Sequence, residues 1–369
     1  MNPKVTVIIP VYNQEPFLAE CLSSVLSQTL REIEVLCIND GSTDSSLKII
    51  REFQAADPRI VCLDQPNAGV AAARNRGIET ARGNYLIFLD PDDSYPSNST
   101  LEQLYFAAIN NDVLVSAGSF SIADEETGEI TTSFDGLLKG YTFKEESTIL
   151  YDDYQFDYGF HRFLIQADFL RTNKIKFPPL VRFQDPPFLV ETLIKAEKFY
   201  AIPEVVYRYK LGHQTIKWNT EQQLSLIKGI KIILDLSRSN SLASLHALEV
   251  KRLEEEYGGV FYWAIENPDV FAALIDLNAH IDHSLISPDG AINHQLIAPL
   301  KQQTSNAMKW KKDIEDLQGA VLAERKDKEN AWEELDLVKK KLEQAEGKIA
   351  AITSSKTFRA ANAIKSLLK

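Results

Sequence analysis

The chain has 369 residues, 44% hydrophobic and 25% charged, a composition that fits a globular protein with a sizeable core and more than one unit and excludes disordered or collagen-like chains. No run approaches the roughly 18 apolar residues of a membrane span, and the first residues show no charged leader or cleavage site, so the expected location is cytoplasmic. The net charge is −12, but residues 301–369 hold 15 Lys and Arg against 11 Asp and Glu, leaving −16 on residues 1–300; so acidic a body argues against broad nucleic-acid binding and suits a divalent cation held between carboxylates.

In chain order, Val5–Ile9 is a β-branched run closed by Pro10, and Leu18, Cys21, Leu22 and Val25 follow at helical spacing, predicting strand then helix. Ile33–Ile38 reads as a second strand. Ser42, Thr43 and Asp44 offer N-cap chemistry to a helix with apolar positions Leu47, Ile50 and Phe53. Ile60–Leu63 is a third strand, Val70–Ala81 a helix, and Tyr85–Leu89, apolar throughout, a strand covered on both faces. This alternation predicts an α/β fold with a mostly parallel twisted sheet flanked by helices, in which ligands bind at the carboxyl ends of the strands. Cys21, Cys37 and Cys62, odd in number and widely spaced, read as buried small hydrophobes in a reducing compartment.

Beyond residue 115 the pattern is less regular. Ser116–Tyr141 suggests short strands and turns, Phe160–Leu170 a helix, Pro187–Ala196 another, and Tyr200–Tyr209 a strand interrupted by Pro203. Helices are expected from Glu221 to Asn278. Ile314, Leu317, Val321, Ala331, Leu335, Val338, Leu342, Ala345, Ile349 and Ile352 then keep steps of three and four, broken by Glu324 and Lys328. That seam predicts a coiled coil, although an amphipathic helix lying on its own body gives a similar pattern over short lengths. After Glu346 no acidic residue occurs, while Lys356, Arg359, Lys365 and Lys369 accompany Phe358, Ile364, Leu367 and Leu368. Such a tail fits either peripheral contact with an anionic membrane face or a solvated helix end.

Three loops at strand ends should converge on one rim: Pro10–Asn13, Asn39–Asp44 and Asp90–Asp93. Asp90, Asp92 and Asp93 put three carboxylates in one turn, which repel unless a cation joins them, and hard oxygen ligands of this kind suit magnesium or manganese. Acidic turns are also common as solvated surface. In Asn39–Asp44 a turn at Gly41 and a cap at Ser42 or Thr43 leave Asp40 unexplained. Arg74 and Asn75 lie on a small-residue helix, where Arg74 and Arg76 are natural partners for phosphate or carboxylate.

In this order, Val7–Asn13, Asn39–Asp44, Asn67–Gly69 with Ala73–Gly77, and Phe88–Asp93 resemble the family 2 glycosyltransferases, inverting enzymes of the glycosyltransferase A fold found in bacterial cell-surface glycan synthesis. The resemblance is strong over residues 3 to about 115 and looser to about 215. It implies that Pro10, Val11 and Tyr12 line the nucleotide pocket, that Asp40 recognises the base, and that Arg74, Asn75 and Asp90 bind the donor. Asp90 and Asp92 would be the aspartates of the metal and diphosphate motif, holding Mn2+ or Mg2+, with His213 reaching the metal or diphosphate from the Tyr207–His213 segment. Asp185 matches the aspartate that serves as general base, although a plain helix start before Pro186 has the same composition. Gln184 stands where Glu is commoner, and Asn39 where many members have Asp.

The resemblance thus implies an inverting transferase that moves a sugar from a nucleotide-diphosphate donor, UDP by family frequency, to a hydroxyl of a glycan, lipid-linked or protein acceptor. Expected boundaries are 1–219 for the catalytic domain, 220–305 for a helical segment, 306–353 for a coiled coil that makes a homo-oligomer, and 354–369 for a cationic amphipathic tail. Asn39 and Gln184 keep open a second reading, a catalytically silent scaffold of the same fold. A nucleotidyltransferase is disfavoured because no Gly-rich phosphate loop follows the first strand.

Overall fold

The computed structural model describes residues 3–211, 218–257 and 267–286, together with positions 260, 263, 264, 312, 316 and 339–346. It has two compact units, Met1–Trp218 and Asn219–Lys369. The first runs β1 (Val5–Val11), α1 (Leu18–Leu26), β2 (Ile33–Asp40), α2 (Ser46–Ala56), β3 (Ile60–Gln65), α3 (Val70–Thr80), β4 (Tyr85–Phe88) and α4 (Thr100–Asn110). It continues through β5 (Val115–Asp124), β6 (Ile130–Thr131), β7 (Ser147–Leu150), α5 (Tyr151–Tyr154), β8 (Phe163–Gln166), α6 (Ala167–Thr172), α7 (Asp185–Ala196) and β9 (Lys198–Leu211).

The sheet order is β3-β2-β1-β4-β8-β5-β9-β7, with β6 on β5. Its first four strands are parallel, as the alternation predicts, with Ile8 facing Leu36 on one side and Phe88 on the other. The sheet as a whole is mixed, which corrects the mostly parallel expectation: β8 runs antiparallel to both β4 and β5, and β7 antiparallel to β9. The strand responsible, β8, lies inside the segment Phe160–Leu170 expected to be a helix. Phe163, Leu164 and Ile165 are all buried, so both faces of β8 are covered, and a strand buried on both faces loses the period-two alternation that would distinguish it from a helix.

Proline positions are tolerated where ladders lapse. The pairing of β1 with β4 ends at Ile8 and Phe88, so Pro10 lies beyond the part of β1 paired on both sides. Pro203 falls in the register shift between Ala117–Ala201 and Ser119–Val205, which lets β9 run 14 residues through it. Gly77 is set by packing: a Cβ there would lie 2.5 Å from Cγ2 of Ile8, so glycine lets α3 close onto β1 beneath the site.

In the second unit, α8 (Thr220–Ser239) opens with a capping box between Asn219 and Gln222, and α10 (Pro268–Asn278) opens with Asn267 capping and Pro268 in the first turn. Between them lies α9 (Ala243–Glu255). Ile227, Ile230, Leu234, Leu245, Leu253, Leu274 and Leu277 are buried, in keeping with the helical periodicity. His246, fully buried, contacts Ser237 Oγ at 2.8 Å through Nδ1 and accepts the Asp282 amide at 2.8 Å through Nε2. The predicted coiled-coil segment lies outside the described residues except for positions 312, 316 and 339–346, which are helical, and the tail lies wholly outside them. Among the described residues no helix is long and apolar enough to cross a membrane.

Gly77→Ala sets a gain of about 1 kcal/mol in helix propensity against a clash with a fully buried side chain, which typically costs about 1–3 kcal/mol. We expect the clash to win. Urea unfolding should show a lower midpoint with an unchanged slope.

Candidate active site

Three strand ends build the rim. At the end of β1, Val11 is buried in the core while Tyr12 leaves the sheet 47% exposed, its ring available to a ligand. Asn13 takes a positive φ of 52° and ties this turn to the next loop, its amide donating to Ser42 Oγ at 3.1 Å and its Oδ1 accepting the Thr43 amide at 2.8 Å. Asp44 Oδ1 accepts the Ser46 amide at 2.9 Å, so the start of α2 is supported by Asp44, not by Ser42 or Thr43.

At the end of β2, Asn39 and Asp40 are buried and take different partners. Asn39 Nδ2 donates to Asp64 Oδ1 at 2.6 Å. An aspartate at 39 would face that carboxylate as a like charge, which gives a local reason for asparagine here. Asp40 accepts from Gln65 Nε2 at 2.7 Å and from the amides of Ala68 and Gly69 at 2.9 Å each, so both its oxygens clamp the loop leading into α3.

The end of β4 carries the acidic turn. Asp90 lies between two basic side chains: Arg74 Nη2 donates to Oδ1 at 2.6 Å, and His161 Nε2 lies 2.9 Å from Oδ2. Burial works to raise the Asp90 carboxyl, but Arg74 and His161 outweigh it and hold the group well below the usual carboxylate range. Asp90 is therefore ionised, and the Nε2 atom of His161 carries the proton. Arg74 is 4% exposed, its guanidinium carbon 4.7 Å from the Phe160 ring centre and 5.3 Å from that of Phe177; its Nε and Nη1 are buried without a hydrogen-bond partner among the described residues.

Asp93 closes the turn in a different environment. Its Oδ2 accepts the Tyr207 hydroxyl at 2.5 Å and its Oδ1 the Lys210 amide at 2.8 Å. Burial, then the neighbouring charges of Asp90 and Asp92, raise its carboxyl well above the usual range. Asp92, between the two, is buried to 8% exposure.

Asp185 begins α7. Gln184 occupies the cap position without a side-chain cap bond, and Pro186 and Pro187 fill the first turn, so Asp185 is the first helical residue and not the cap. Phe183, just before it, adopts a φ of 60°, a strained conformation for a bulky residue, with Tyr158 edge-on to its ring at 6.3 Å. Burial raises the Asp185 carboxyl, with Arg74 and His161 opposing and Asp90 adding to the rise. The same two basic groups thus act on both Asp90 and Asp185.

The structure gathers Arg74, Asp90 and Asp185 into this cluster, with Asp92 in the same acidic turn, and places Tyr12 at the end of the neighbouring strand. Asn75 goes elsewhere: its amide exchanges reciprocal 2.9 Å hydrogen bonds with the Phe177 backbone. Arg76 donates to the Asp64 carbonyl and to Gln65 Oε1, at 3.0 Å each. His213 lies outside the described residues. His161, which contacts Asp90, was not singled out in the sequence, where its signal was a His-Arg pair interrupting an aromatic run at Tyr158–Phe163; the Tyr207–His213 segment was singled out for His213, whereas the contacts to the acidic turn come from Tyr207 and the Lys210 amide.

Among the described residues no group of three or more His, Cys, Asp or Glu side chains is set to hold a metal. A divalent ion at this turn would be held by Asp92 with the rest of its shell supplied by ligand oxygens, since magnesium commonly takes only one or two carboxylates. Asp90, also expected at the metal, has its two oxygens committed to Arg74 and His161.

A mixed sheet flanked by helices, with the acidic turn at the carboxyl end of a parallel strand, is a fold of the glycosyltransferase A type. The family model for glycosyl transferase family 2 matches residues 6–170. The chain is 31% identical over 240 residues to the glycosyltransferase GlyG of Streptococcus pneumoniae, covering 62% of this chain and 78% of GlyG. It is 31% identical over 214 residues to the uncharacterized glycosyltransferase EpsJ of Bacillus subtilis, covering 57% of this chain and 62% of EpsJ, so it spans under two thirds of that relative's length. The crystal structure of Staphylococcus aureus TarS residues 1–349 in complex with UDP-GlcNAc aligns with a TM-score of 0.65 at 18% identity, covering 76% of this chain and 82% of that one. The chain belongs to glycosyl transferase family 2.

The raised carboxyl of Asp93 yields a signed prediction. A raised folded value adds stability below the unfolded value, and this is lost as pH rises through the folded value. The stability of Asp93→Asn relative to wild type should therefore improve as pH rises from 4 to 8. Denaturant titrations at the two pH values measure it.

Proposed function

We propose that the chain is an inverting glycosyltransferase that moves a sugar from a nucleotide-diphosphate donor, UDP first among the nucleotides, to a hydroxyl of a glycan, lipid-linked or protein acceptor. The observation that carries this reading is the electrostatic neighbourhood shared by Asp90 and Asp185, both acted on by Arg74 and His161 at the carboxyl end of a parallel strand. The UDP-GlcNAc bound by TarS supports a nucleotide-sugar donor.

In this reading Tyr12 packs against the base, and Pro10 and Val11 shape the floor beneath it. Asp40 recognises the base from a position fixed by its bonds to the Ala68–Gly69 loop. Arg74 offers its remaining buried donors to the donor sugar or diphosphate. Asp185 takes the proton of the acceptor hydroxyl as that oxygen attacks the anomeric carbon, a single displacement that inverts configuration. Burial raises its proton affinity, which suits a base, while Arg74 and His161 limit the rise and favour the ionised form. A divalent ion, Mn2+ or Mg2+ at Asp92, would neutralise charge on the departing nucleoside diphosphate. Residues 306–353 as an oligomerising coiled coil and residues 354–369 as a peripheral contact at the inner membrane face belong to the same proposal, as does a catalytic domain ending near residue 219.

Asn39 lends little support to a silent scaffold, because its bond to Asp64 gives that substitution a local physical reason. Turnover decides between the two readings. With a panel of nucleotide sugars and manganese, wild type should release nucleoside diphosphate from one donor, and Asp92→Ala should lose that release. Asp185→Asn should lower transfer by about 10²–10⁴-fold while donor binding stays within a few-fold of wild type. Donor binding without release, in the presence of candidate acceptors, would favour the scaffold.

A further inference from the structure

The acidic turn is fastened at both ends by two rings stacked on each other. His161 Nε2 donates to Asp90 at the start of the turn, and the Tyr207 hydroxyl donates to Asp93 at its end. The two ring centres are 4.6 Å apart and 28° from parallel. Behind them the stack continues: Phe120 lies 5.5 Å from Tyr207 at 8°, and Tyr141 lies 4.5 Å from Phe120 at 16°. Tyr207 is fully buried, so its hydroxyl is held against Asp93 away from solvent. The Asp90 amide also points to the Tyr207 oxygen at 3.4 Å, which links the ends of the turn through one atom. The Nδ1 atom of His161 is buried with no hydrogen-bond partner among the described residues, so Nε2 is the atom through which this ring bonds.

The geometry points to His161 as a positioning residue. Through its bond to Asp90 and its stack on Tyr207 it fixes both ends of the turn, so that Asp92 between them meets a metal-bound nucleoside diphosphate in one set geometry. Stacking alone would serve packing; the hydrogen bond that the same ring makes to the Asp90 carboxyl is what couples packing to the site. Partners that orient a ligating carboxylate typically govern metal affinity by about 10–100-fold when removed. This inference rests on the donor reading above.

Two substitutions separate the hydrogen bond from the ring. His161→Phe keeps an aromatic ring on Tyr207 and removes the donor; His161→Gln loses the ring but can place an amide N–H where Nε2 stands. Calorimetry with UDP, and with GDP if UDP does not bind, in the presence and absence of Mn2+, is read against wild type, alongside melting curves. His161→Phe should weaken Mn2+-dependent nucleotide binding about tenfold or more, and His161→Gln less than about threefold, with metal-free binding unchanged in both. Unchanged Mn2+-dependent binding in His161→Phe, equal losses in both variants, or wild-type binding that ignores Mn2+ would each overturn the inference. Loss of metal-free binding together with a lowered melting temperature would assign His161 to packing and overturn it too. If wild type bound neither nucleotide, the donor reading itself would fail and the inference with it; wild-type binding with a normal His161→Phe variant would sink the inference alone.

Discussion

Three carboxylates in four consecutive residues, at the end of a buried strand, set the constraint on which the site depends. Close like charges in a partly dry environment repel, and each must be compensated or lose its charge. The turn divides the problem. Asp90 is compensated by a guanidinium and an imidazole and stays ionised, whereas Asp93, held by a hydroxyl and a backbone amide, is driven toward its neutral form. The two flanking groups are thus made unlike by their surroundings, and Asp92 is left between an anion and a carboxyl that readily takes a proton. Arg74 and His161 come from α3 and from the turn before β8, so the chemistry of β4's end waits on parts of the chain 16 and 71 residues distant.

Much of this was legible in the sequence where signals are local. Short apolar runs located β1 to β4, and the rim loops followed from the rule that parallel strands present their ligands at one edge. Asp185 drew attention only through the family resemblance, since its place ahead of two prolines reads equally as a plain helix start. The rest was hidden for definite reasons. β8 is covered on both faces and read as a helix; the antiparallel strands it introduces turned a parallel sheet into a mixed one. His161 and Tyr207 owe their roles to contacts across the sheet, at separations of 71 and 117 residues from Asp90, which no local pattern encodes. Asn75, by contrast, sits where a ligand contact was expected, yet its amide fits the Phe177 backbone on both sides, a pairing decided by how α3 packs.

The departures from the family pattern differ in kind. Asn39 is matched by a neighbour, Asp64, whose carboxylate needs a donor and would repel an acid. Gln184 has no such match: its Oε1 is buried without a hydrogen-bond partner among the described residues, and nothing in the structure explains the choice of glutamine. A buried amide oxygen left unsatisfied is a cost, so Gln184 is a weak point in the support of α7's first turn.

Asp40 has a further consequence. Its two oxygens are the clasp that joins the end of β2 to the loop opening α3, and α3 carries Arg74. Cutting the clasp would free the start of the helix that delivers the guanidinium to Asp90, so damage at the β2 end of the rim would be felt at the β4 end. An Asp40 variant without activity would therefore resemble a lost base contact and a misplaced arginine at once, and only a variant of Gln65, which loosens the clasp without touching the aspartate, tells the two apart.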